Sequence, residues 1–100
     1  MSHNEILEKY VANIEEACGE ERDIIVMLKH KGKDEAIKKI LDKAKIVRSL
    51  ANIAYDIEFE GKQMRIYRTG KILMKNLKGK REAEEILKRL LVRANSRLYA

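Results

Sequence analysis

Apolar residues return at helical spacing in three stretches of this chain and alternate with acids in a fourth. Residues 4–18 place Leu7, Val11, Ile14 and Cys18, with Tyr10 and Ala17, on one stripe. That stripe predicts a helix, opened by the capping-box spacing of Ser2 and Glu5 and stopped at Gly19. Residues 24–28 form an unbroken apolar run that predicts a buried strand. Residues 34–51 are periodic again, with Ile37, Ile40, Leu41, Ala44, Val47, Leu50 and Ala51 on the core face of a second helix. Lys38, Lys39, Asp42, Lys43, Lys45 and Arg48 lie off that face. Residues 80–97 predict the last helix, with Ala83, Ile86, Leu87, Leu90, Leu91 and Ala94 inward.

Between the second and last helices the period changes to two. Tyr55, Ile57 and Phe59 alternate with Asp56, Glu58 and Glu60, the pattern of a half-buried strand. A two-residue turn at Gly61-Lys62 would pair Phe59 with Met64 and Ile57 with Ile66 on the core face. On the other face it would pair Glu58 with Arg65 and Asp56 with Tyr67. A second turn at Thr69-Gly70-Lys71 leads into Ile72-Leu73-Met74, with Tyr67, Ile72 and Met74 expected opposite the core. These elements make an α+β fold: a two-layer sandwich of a small, mostly antiparallel sheet of about four strands and about three helices. Residues 1–100 are expected to form one domain. An apolar patch on the outer face of the sheet would favour self-association, and a homodimer is expected.

Composition narrows the class. Charged residues make up 38% and hydrophobic residues 45%, so the chain can bury a core under a densely charged surface. One cysteine excludes an intrachain disulfide framework and suits a reducing cytoplasm. No apolar run approaches the ~20 residues of a membrane span, and the first residues do not read as a signal peptide. Neither a membrane nor a small-molecule substrate is expected as a partner. Abundant Lys, Glu and Ile is a thermophile-like composition.

Charge is unevenly distributed. Residues 1–23 carry Lys9 and Arg22 against seven acids, whereas residues 61–100 carry twelve Lys or Arg against Glu82, Glu84 and Glu85. A basic half is a footprint for nucleic acid; a pair of solvated helix faces is the plainer alternative. The most informative stretch is Val26-Met27-Leu28-Lys29-His30-Lys31-Gly32-Lys33, where a β-prone run empties into lysines around a glycine just before a helix. Such a loop suits a phosphate: lysines supply charge, glycine admits close backbone approach, and the helix start offers free N–H groups. An ordinary solvated turn would look the same.

Chemistry beyond binding has little support. His3 and His30 are the only histidines, and no Cys/His spacing suits zinc. No nucleophile has a placed base, and Gly32 is not in a Walker-type loop, so neither an enzyme nor a cofactor is expected.

The segments Tyr10-Val11, Lys29 to Lys33, and Ala36 through Ile46-Val47-Arg48 resemble the archaeal chromatin family Alba. The family pattern is a helix opening near Tyr-Val, a strand into a Lys-x-Arg-Gly-Arg/Lys loop, and a helix ending Ile-Val-Arg. The likeness covers residues 10–48 and implies a small α/β sandwich, usually dimeric, that binds DNA or RNA with little sequence preference. It places Lys31 and Lys33 on the loop's backbone-contacting positions and the Gly61-Lys62 hairpin on the family's groove-reaching arm. The family's N-terminal strand and Gly-Lys-Lys-Pro loop have no counterpart in this chain. Separately, Ile66-Tyr67-Arg68-Thr69-Gly70-Lys71-Ile72-Leu73, followed by a helix, resembles the Ser-Gly-Lys hairpin of a TATA-binding-protein half-repeat. That likeness puts Tyr67 where the family places a base-wedging aromatic.

The function expected from the sequence is nucleic-acid binding through phosphates. Lys29, Lys31, Gly32 and Lys33 would form the loop site, and Lys62, Arg65, Arg68 and Lys71 would extend it across the meander. The competing class is a protein–protein module whose basic charge serves solubility or an acidic partner.

Overall fold

The computed structural model describes residues 3–16 and 23–92. In chain order these form α1 (His3–Tyr10), β1 (Val11–Glu16), β2 (Ile24–Leu28), a 3-10 turn (His30–Gly32) and α2 (Lys33–Lys43). There follow β3 (Lys45–Leu50), β4 (Ala54–Phe59), β5 (Lys62–Tyr67), β6 (Lys71–Met74) and α3 (Lys80–Leu91). The strands make one antiparallel sheet in the order β1-β2-β6-β5-β4-β3. The α+β class is as expected, but the sheet has six strands rather than about four. Both additional strands, β1 and β3, come from stretches whose period reads as helix.

A bulge explains the first misreading. Val11 pairs with Leu28 while Asn13 pairs with Met27, so Ala12 is an extra residue and the register shifts. Val11 and Ile14 therefore face the same way, three residues apart, and both pack against the core. Three is the spacing of a helix, so the apolar pattern alone cannot separate a bulged strand from one. The second case is similar: Ile46 pairs with Ile57 and Arg48 with Asp56, which leaves Val47 as the extra residue of β3. The α2 pattern holds as far as Ala44, with Ile37, Ile40 and Leu41 inward and Ala36 buried besides. Beyond it Val47 is 62% exposed and Ala51 is an exposed turn residue at φ 51, so neither belongs to a core. Cross-strand pairing with β4 wins over helix continuation at the β-branched pair Ile46-Val47.

The helices all lie on one face of the sheet. Val26, Ile57, Met64, Ile66, Ile72 and Met74 point toward them and meet Ile6 and Tyr10 of α1, Ala36 and Ile40 of α2, and Leu87 and Leu90 of α3. The inward positions of α3 are as expected through Leu91. Ala94, Cys18, Gly19 and Ser2 lie outside the described residues.

The β4–β5 hairpin turns at Glu60-Gly61, not Gly61-Lys62. Both residues have positive φ (53 and 80), the primed two-residue turn that matches strand twist. Ion pairing of Glu60 with Arg89 at 2.8 Å holds an acid in that conformation. Ile57 therefore pairs with Met64, Asp56 with Arg65 and Tyr55 with Ile66. The error is two residues, which changes partners but leaves every side chain on its expected face. In β6 the expectation fails by parity: Ile66 pairs with Ile72 and Arg65 with Leu73, so Ile72 and Met74 are core. The helix-free face instead carries Tyr67, Leu73, Ile25 and Met27, crossed by charged residues of β3, β4 and β5.

Candidate nucleic-acid interface

The registers bring four connections to one end of the sheet. There β2 ends, β5 turns into β6, β3 turns into β4, and α1 passes into β1. The junctions are bonded together. Leu28 N–H donates to the Gly70 carbonyl at 2.8 Å, Lys29 N–H to the Tyr10 carbonyl at 2.7 Å, and Arg68 N–H to the Ile53 carbonyl at 3.0 Å. Gly70 is buried at φ 102, a conformation that favours glycine, and a methyl group there would lie 3.5 Å from Lys33 Cδ. The Arg68–Lys71 turn is thus docked on the Lys29–Lys33 loop.

Six of the eight residues expected to form the site converge at this end: Lys29, Lys31, Gly32, Lys33, Arg68 and Lys71. Lys31 is exposed and makes no ion pair among the described residues. The Lys33 side chain is 21% exposed, and its ammonium lies 3.5 Å from Asp34. The Lys29 ammonium donates to the Glu8 carbonyl in the last turn of α1, a favourable place for a cation. Arg68 is exposed, and Lys71 holds its ammonium 5.8 Å from the Tyr67 ring centre.

The other two lie elsewhere. Lys62 is at the opposite end of the sheet, 3.7 Å from Glu82. Arg65 is in mid-sheet, donating to Asp56 at 2.6 and 3.1 Å, while Arg48 donates to the same carboxylate at 2.9 and 3.2 Å. Hydrogen bonds from Arg65 and then Arg48 hold the Asp56 carboxyl down at about 2, against an ordinary 3.8. In return Asp56 raises Arg65 still further above neutrality.

Two parts of the expected phosphate cradle are filled by the protein itself. A methyl group on Gly32 would stand 3.3 Å from Cδ1 of Tyr10, so the close approach this glycine permits is that of a tyrosine ring. The first turn of α2 carries Asp34 and Glu35, which supply negative charge to the helix start from within the chain. Glu35 also accepts the Tyr10 hydroxyl at 2.8 Å, and that bond, with Lys9 and Lys39 nearby, holds its carboxyl below the usual range. Charge, rather than exposed helix N–H groups, is what this end offers an anion.

Lys9 and Lys39 escaped the sequence reading. Their ammonium groups sit 5.2 and 5.5 Å from the Tyr10 ring centre. Only the adjacency of Lys9 to Tyr10 and the helical spacing from Glu35 to Lys39 point to them in advance. With them, the cations of this end outnumber the carboxylates Glu8, Asp34 and Glu35.

Among the described residues no cluster of three or more His, Cys, Asp or Glu could hold a metal ion. No described helix is long and apolar enough to cross a membrane. No family model, curated protein or solved structure matches the chain.

Proposed function

We propose that this protein binds nucleic acid through its phosphates, at the end of the sheet where the β2–α2 loop meets the β5–β6 turn. The observation that carries this reading is the docking of the Gly70 turn on Leu28 and Lys33, which gathers Lys31, Lys33, Arg68 and Lys71 from distant parts of the chain. Cations borne on a turn and a strand–helix loop can follow a phosphate backbone without entering a groove, and such contacts fix position without reading sequence. The Alba resemblance enters the proposal through the Lys29–Lys33 loop, since Ile46-Val47-Arg48, which end a helix in that family, form part of β3. The binding partner is DNA or RNA, bound as in a chromatin-like or RNA-binding protein.

The test is a salt-titrated binding assay with random duplex DNA, single strands and structured RNA. Expected is binding near 50 mM salt that weakens linearly in log K against log salt, with ~0.9 in slope for each duplex phosphate neutralised. Failure to bind any of the three forms at that salt defeats the proposal. The protein–protein reading would then stand, favoured by the exposed Ile46, Val47 and Ile53.

A further inference from the structure

The two edges of the sheet are chemically opposite. β3 carries Lys45 and Arg48 and no acid, while β1 carries Glu15 and Glu16 and no base. No strand among the described residues pairs with the outer side of either. β3 is also apolar where it should be guarded: Ile46 is 48% and Val47 62% exposed, because the helix layer stops short of it.

We infer that the β3 edge of one copy takes the β1 edge of a second copy, head to tail, in one continuous antiparallel sheet. Three features of the fold agree on this occupant. The first is polarity. β1 runs from the loop end to the hairpin end and β3 runs back, so a second copy set alongside in the same orientation presents an antiparallel strand. The second is face parity. Ile14 and Ile46 both lie on the helix-covered side of their strands, and Glu15 and Lys45 both lie on the open side. Pairing Ile14 with Ile46 therefore sets Glu15 opposite Lys45, apolar against apolar and acid against base. The third is cover. α1 and α3 reach over β1, so the second copy brings helices toward the exposed Ile46 and Val47.

A symmetric β3–β3 pair would instead bring together two strands that carry Lys45 and Arg48 and no acid, with only Arg48 compensated, by Asp56 of β4. The homodimer expected from the sequence is therefore less well matched to these edges than a repeating contact. Such a heterologous contact leaves a free edge at each end, so assembly continues beyond two copies unless it closes into a ring.

The experiment is sedimentation and light scattering over a concentration series, without nucleic acid. It uses the intact chain, Glu15→Lys, Lys45→Glu, and an equimolar mixture of the two variants. Expected is a mass that grows past two chains for the wild type. Each single variant sets like charges opposite each other at positions 15 and 45 and should need ~5–10-fold more protein to assemble, since an opposite-charge pair becomes a like-charge pair. The mixture pairs each reversed edge with its complement and should regain wild-type growth, which a misfolded variant cannot do. A wild type that stays near 11.6 kDa or stops at two copies overturns the inference. So do single variants that assemble like wild type, and so does a mixture that fails to recover.

Discussion

Basic residues at the two ends of the sheet differ in what they face. At the hairpin end part of the charge is matched: Lys62 faces Glu82, Arg89 grips Glu60, Lys88 pairs with Glu85, and Lys43 donates to the Arg89 and Val92 carbonyls where α3 ends, while Lys75, Lys78, Lys80 and Arg81 are exposed and make no ion pair among the described residues. At the loop end Lys31 makes no ion pair among the described residues, Arg68 is exposed, and Lys33 has only the highly exposed Asp34. A count of Lys and Arg along the chain cannot distinguish these ends, because it records charge and not what the charge faces. Residues 61–100 look like the basic half in sequence, yet Lys62, Arg65, Lys88 and Arg89 of that half are held in ion pairs.

That contrast is broken most directly by reversing charge at each end. Lys31→Glu with Lys33→Glu should weaken nucleic-acid binding by tenfold or more and lower the salt slope by about one for each phosphate no longer neutralised. Lys62→Glu with Lys88→Glu, the same change in net charge at two ion-paired positions of the other end, should cost far less affinity. Anisotropy titrations at matched salt compare the two. Equal losses would mean that total charge, and not the loop end, governs binding.

The glycines of the two turns sharpen the comparison. Gly70 at φ 102 is buried against Leu28 and Lys33, whereas a methyl group added to Gly61, at φ 80, would meet nothing within 4 Å. Gly70→Ala should cost ~1–3 kcal/mol for a strained backbone and should also weaken binding, because the Arg68–Lys71 turn would shift off the loop. Gly61→Ala should cost about 1 kcal/mol and leave binding unchanged. Denaturant melts together with the binding assay separate the two outcomes.

In mid-sheet, Asp56 joins neither end's pattern. Its carboxyl titrates at about 2 against an ordinary 3.8, so the folded protein holds the ionised form more tightly than the unfolded chain does. The stability this contributes is complete above pH ~4 and is lost as pH falls toward 2. Asp56→Asn should flatten that part of the acid unfolding curve while making the protein less stable at pH 7. An unchanged acid limb would mean that the Arg48–Asp56–Arg65 group adds nothing to stability.

Sequence and structure diverge where local pattern and pairing compete. The strand at 24–28 was legible as an unbroken apolar run, and the core faces of α2 and α3 and the two faces of the β4–β5 hairpin were legible because each follows one undisturbed period; β6 was not, since the turn at Gly70 sets its parity. β1 and β3 were not, since a single bulged residue in each turns a period of two into a spacing of three. The hairpin turn was misplaced because Glu60 is a poor residue for a left-handed conformation, and its support, Arg89, lies 29 residues away. The loop site was half legible. Its lysines stand together in sequence, but the turn that completes the cluster is brought there by the β2–β6 pairing, and Tyr10, which fills the glycine's space, arrives from α1.

The smallest effect expected is on sequence preference. The six residues that converge at the loop end include no Asn or Gln, the side chains that read adenine by paired hydrogen bonds. Lys31, Lys33, Arg68 and Lys71 offer donors that suit phosphate oxygens as well as base edges, and they are borne on a 3-10 turn, a hairpin turn and the first residues of α2 and β6 rather than along one element laid in a groove. Contacts of that kind number ~4–8 if two copies engage one duplex, and they set the salt slope without setting a sequence. Randomising a bound DNA should therefore change affinity by less than about tenfold, roughly the discrimination of one mismatched base pair. Competition of a labelled duplex against unrelated duplexes of equal length at fixed salt measures this. A preference of a hundredfold or more would require base-edge contacts that the loop end does not supply, and would move the search to Tyr67 and the open face of the sheet.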